Sequence, residues 1–135
     1  MSRISRLSGS LAAGAVALGG ALVVCAPATA ADVEHYPDHR AVAVELNHDE
    51  TVLAAQVGVG NVIDSVLGND NWSVALENDS KYQDDWYYRA DKAQIWNNVT
   101  GQQVIAEAAS RPNGTVTVGV YYDGEPMPLW VDQDW

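Results

Sequence analysis

The stretch 100–131 constrains the fold most, because its hydrophobic period changes from helical to extended within a few residues. Val104, Ile105, Ala108 and Ala109 fall at i, i+1, i+4 and i+5 and share one helical face, which predicts a helix over 102–111. Thr100 stands in an N-cap position, and Arg111-Pro112-Asn113-Gly114 stops the helix. Side chains then alternate, with Val116, Val118, Val120 and Tyr122 on one side and Thr115, Thr117 and Tyr121 on the other. That is the pattern of a half-buried strand. Asp123-Gly124 suits a tight turn, because both residues accept positive φ, so 114–131 is expected to form a β-hairpin. Pro126 and Pro128 cannot donate ladder hydrogen bonds, and the return strand 129–131 is therefore expected at a sheet edge.

Upstream, 40–46 alternates Val42, Val44 and Leu46 against Ala41, Ala43 and Glu45 and reads as a first strand. Asn47 or Asp49 can cap a following helix, and Asp49 and Glu50 suit its first turn. The apolar run to Leu67 is interrupted by Gly58 and Gly60, which predicts two short helices, 49–56 and 59–67, with Gly68 as C-cap and Asn69-Asp70-Asn71 as a loop. Residues 72–76 read as a short strand and 77–85 as a polar loop. Over 86–97, Trp86, Ala90, Ala93 and Trp96 would share a helical face, so a third helix is expected there. The expected fold class is α+β: one small domain over 40–135, its antiparallel sheet including the C-terminal hairpin and packing against three to four short helices.

The N-terminus reads differently. Arg3 and Arg6 precede an apolar run over 11–24 and end in Ala28-Thr29-Ala30, the layout of a secretory signal peptide over 1–30 with cleavage after Ala30. The run is short and Ala/Gly-rich for a spanning helix, so stable membrane insertion is not expected after cleavage. Lipid anchoring at Cys25 is the minority alternative, since Val24 is a poor residue before a lipidated cysteine. Residues 31–39 are polar and are expected to form a flexible leader. Without the signal the chain holds no cysteine and must rely on its apolar core. Five basic residues then face 18 acidic ones, a balance of −13. Such charge repels nucleic acid and anionic membranes and suits a basic partner. The Ala-rich signal reads as bacterial, which makes the N-x-S/T triplets at Asn71, Asn78, Asn98 and Asn113 coincidental.

Signals for chemistry are sparse. His48 beside Asp49 could form a base oriented by an acid. His35, Asp38 and His39 are of metal-ligating type, but Pro37 opposes the helix that would put both imidazoles on one face. No serine lies in a G-x-S-x-G or S-x-x-K context, and the acidic loops lack the twelve-residue calcium pattern. The aromatic set is the unusual feature, with five Trp and six Tyr but no Phe. Trp and Tyr couple apolar area to a polar handle and are enriched where surfaces recognise partners. Tyr121, Tyr122 and Trp130 on the hairpin are the expected contact surface. The expected function is a small secreted, non-enzymatic binding domain without cofactor, meeting a protein or cell-envelope component, with the acidic surface favouring a basic one. The alternatives are a small secreted hydrolase using His48 or His39 with a carboxylate, and a metal- or calcium-responsive envelope protein.

Overall fold

The computed structural model describes residues 31–68, 71–124 and 127–135. The expected signal segment 1–30 with Cys25 lies outside the described residues, as do Asn69, Asp70, Glu125 and Pro126. Strand β1 (Asp32–Tyr36) leads through a short 3-10 turn (Pro37–His39) to β2 (Ala41–Leu46). Helices α1 (His48–Val57) and α2 (Val59–Leu67) follow, then strands β3 (Trp72–Ala75), β4 (Trp86–Arg89) and β5 (Gln94–Asn97). Helix α3 (Gly101–Ser110), β6 (Thr115–Tyr121) and β7 (Leu129–Asp134) complete the α+β fold.

Five strands form one sheet in the order β1-β2-β6-β7-β3, and β4 and β5 pair as a separate hairpin. All neighbours in the larger sheet are antiparallel except β3, which runs parallel to β7. The alternation read from sequence sets its faces. Val42, Val44 and Leu46 align with Val120, Val118 and Val116, which align in turn with Leu129, Val131 and Gln133. This face meets the helices: Val116 and Val131 join Val104, Ile105 and Ala108 of α3 in a core that also holds Ile63 and Trp72. Apolar area removed from water at this layer is the main stabilising contribution.

The helix ends are specified as their residues suggest. Asn47 caps α1 and Thr100 caps α3, each in a reciprocal box with Glu50 or Gln103 three residues on. Asp64 of α2 adds a second cap, accepting from the Gly101 N–H at 2.8 Å. Gly58 (φ 77°) separates α1 from α2. A methyl at Gly60 would fall 2.1 Å from the Gln102 backbone nitrogen, so α2 and α3 meet backbone to backbone there.

Four expectations are corrected. The leader is not loose over 32–36: it pairs with β2 along its whole length as the edge strand β1. The polar character that suggested a leader is that of a strand exposed on both faces. Residues 86–97 form a hairpin, not a helix, because Tyr87 pairs with Trp96 and Tyr88 with Ile95 across two short aromatic-rich strands. The return strand β7 is not an edge strand; it lies between β6 and β3, and Pro128 precedes it rather than interrupting it. Finally, β6 ends at Tyr121 and β7 begins at Leu129, a spacing too long for a two-residue Asp123-Gly124 turn. Among the described residues no helix is long and apolar enough to cross a membrane.

Candidate functional site

The face of the sheet turned away from the helices carries the opposite parity of every strand. One cross-strand row reads Asp32, Glu45, Thr117, Asp132 and Ala75; the next reads Glu34, Ala43, Gly119, Trp130 and Ser73. A third row holds Tyr36, Ala41 and Tyr121. Small residues in the middle row make room for an indole: a methyl at Gly119 would fall 2.0 Å from the Trp130 ring. Tyr121 leans on that ring at a centroid separation of 4.7 Å and 40° tilt. Trp130 and Tyr121 are therefore half-buried, not free-standing, while Tyr122 is 55% exposed and stacks on His35 at 6.1 Å.

Beside Trp130 the face sinks into a depression of about 380 Å³. Its walls include five carboxylates, from Glu34, Glu45, Glu77, Asp132 and Asp134, and no basic side chain. The electrostatics are strained in the direction that crowded acids require. Asp132 has its pKa raised, first because the walls desolvate its carboxylate and then because Asp134 and Glu77 repel its charge. Tyr36 donates its hydroxyl to Glu34, and this bond, with burial and the charges of Glu34 and Glu45, holds the phenol above its ordinary value. A cation entering this depression would relieve the repulsion on Asp132, with Trp130 and Tyr36 among the lining residues.

The other sequence-derived candidates are placed elsewhere. His48 opens α1, and its Nδ1 donates to the carbonyl of Gly114 at 2.8 Å, tying the helix to the start of β6. Its partner is thus a backbone carbonyl rather than the Asp49 carboxylate, and His48 does not line the depression beside Trp130. His35 sits on β1, while Asp38 and His39 sit in the following 3-10 turn. Among the described residues no group of three or more His, Cys, Asp or Glu side chains is placed to hold a metal ion.

A second polar cluster is architectural. Glu107 of α3 is 4% exposed and accepts from Ser80 Oγ at 2.6 Å, the Lys81 N–H at 2.9 Å and Gln133 Nε2 at 3.3 Å. Burial alone would raise its pKa, yet these donors together hold it below the usual carboxylate range. The cluster fastens the loop after β3 to α3 and β7. Arg111 extends it, bridging Asp79 at 3.3 Å and lying 4.5 Å over the Trp135 ring.

Sequence reading named Trp130 and Tyr121 but missed the acids around them. The signal was parity: Glu45, Asp132 and Asp134 each alternate with an inward-facing residue of the same strand. That Glu34 and Glu77 join them depended on pairings that adjacent residues do not reveal. No family model, curated protein or solved structure matches this chain.

Proposed function

We propose that this protein is a small secreted, non-enzymatic binding domain that receives a basic partner on the helix-free face of its sheet. The observation that carries this reading is the depression beside Trp130, where five carboxylates meet aromatic walls with no basic side chain among them. Aromatic rings supply contact area at low entropic expense, and the carboxylates supply steering and register for Lys or Arg side chains. The raised pKa of Asp132 supports the reading, since a carboxylate kept where folding disfavours its charge is characteristic of sites retained for binding. Secretion rests on the signal-like pattern over 1–30, and it places the partner outside the cytoplasm.

The test is capture by the immobilised full chain from secreted and envelope fractions of its source, with a lysine-rich peptide as a defined probe. A partner that is basic, released by salt and lost in the combined Glu45→Gln and Asp132→Asn variant is the expected result. Both side chains lie on the helix-free face, so the variant keeps its core and its circular dichroism. Equal retention by the variant, or capture of acidic or neutral material only, would overturn the reading.

A further inference from the structure

The five-stranded sheet has one open edge. β1 pairs with β2 along its whole length, and in an antiparallel pair every second residue turns its N–H and C=O away from the partner strand. Among the described residues, no further strand and no loop backbone hydrogen-bonds to those outward groups of 32–36. The other end of the sheet is obstructed: residues of β3 and β5 line one cleft of only about 130 Å³, so a strand arriving there would meet the β4–β5 hairpin. All five residues of β1 are exposed, Val33 to 63%. A free edge of this kind is a template for another strand.

We propose that β1 receives an extended segment of the basic partner, which adds beside it as a further strand of the sheet. This rests on the acidic face as the docking site for that partner, and it names how the partner is held. The side chains of β1 select the occupant. Asp32, Glu34 and Tyr36 project on the helix-free face, where Glu34 and Tyr36 already form part of the wall of the acidic depression. A residue paired directly opposite one of them projects on the same face, its Cβ about 5 Å away. Lys or Arg at every second position of the incoming strand therefore meets Asp32 and Glu34. Val33 and His35 project on the other face, where the exposed Tyr122 stacks on His35. The intervening positions of the partner are therefore apolar, packing beside Val33. The same rule rejects a second copy of this chain, because β1 laid against β1 sets carboxylates opposite carboxylates. Main-chain hydrogen bonds supply affinity that any extended segment could use, and the alternating charges supply the choice.

The test uses the full chain and two peptides of one composition: a lysine–valine repeat in strict alternation, and its rearrangement with lysines and valines in separate blocks. The alternating peptide should bind about tenfold more tightly, because it alone can make the ladder with the charges in register. Hydrogen exchange read by NMR should slow at the outward amides of 32–36 when it binds. N-methylation of every second peptide amide should abolish binding in one alternate set and spare it in the other, since only one set faces β1. Asp32→Lys, at an exposed position outside the depression, should weaken the alternating peptide about fivefold. Equal affinity for the two peptides, unchanged exchange in 32–36, or equal tolerance of both methylation patterns would each overturn edge pairing. So would equally tight binding of a serine–valine repeat, or slowing of the same amides on concentrating the protein alone, which would give the edge to a second copy. Equal binding of both lysine peptides, lost in the combined Glu45→Gln and Asp132→Asn variant, would remove the edge and retain the acidic face. Binding of neither peptide would overturn both.

Discussion

Two carboxylates of this protein carry opposite signs of stability. Glu107 is held ionised by Ser80, the Lys81 N–H and Gln133, so its folded pKa is depressed. Its contribution is present above the ordinary carboxylate pKa and is lost as pH falls through the depressed folded value. Replacing Glu107 by Gln removes the charge from these hydrogen bonds and should cost about 2 kcal/mol at neutral pH. Urea unfolding at neutral and acidic pH checks this, and the deficit of Glu107→Gln should shrink in acid. Asp132 behaves in reverse, because its folded pKa is raised. A raised carboxylate favours folding most below its unfolded pKa and loses that contribution as pH rises through the folded value. Asp132→Asn should therefore raise the melting temperature at neutral pH, with the gain vanishing in acid, while weakening capture of a basic ligand. An unchanged or lowered melting temperature at neutral pH would contradict the crowding of Asp132 by Asp134 and Glu77.

At the scale of elements, the two helix junctions and the two hairpins differ in how local their causes are. The caps at Asn47 and Thr100 could be read directly, because a capping box involves only residues three apart. The contact of α2 with α3 could not, since it depends on Gly60 meeting the backbone of Gln102. Gly60→Ala improves helix propensity and yet forces a methyl against that backbone. The clash should prevail, with a loss of about 3 kcal/mol that thermal unfolding would show. A neutral or stabilised variant would mean that the helices can separate freely. The hairpin β4–β5 was misread for a physical reason. Trp86, Ala90, Ala93 and Trp96 match a helical stripe, but Trp86 is left exposed rather than buried in a core, and cross-strand pairs of Tyr87 with Trp96 and Tyr88 with Ile95 form instead. Ala93 completes the turn at φ 50°, a conformation a helix would not use.

For the molecule as a whole, charge and topology act together. A formal charge of −11 favours solubility and attracts cations anywhere on the surface, whereas the sheet concentrates five carboxylates beside one indole. Binding through this face should weaken steeply with added salt, because physiological ionic strength screens exposed charges beyond about 8 Å. Titration calorimetry with a lysine-rich peptide at rising NaCl measures the slope. An affinity indifferent to salt would show that apolar contact, not charge, drives recognition. Local periodicity by itself determined the α+β class, the helices α1 to α3, the alternation of β2 and β6, and the inward and outward parity of Trp130 and Tyr121, since each depends on residues within a turn or two of one another. Tertiary structure alone decided that 32–36 becomes a strand, that β7 is interior, that β3 joins it in parallel, and that Glu34, Glu45, Glu77 and Asp132 converge. Those outcomes rest on which strand lies beside which, and strand pairing is chosen by the global burial of one face rather than by the residues of either strand alone.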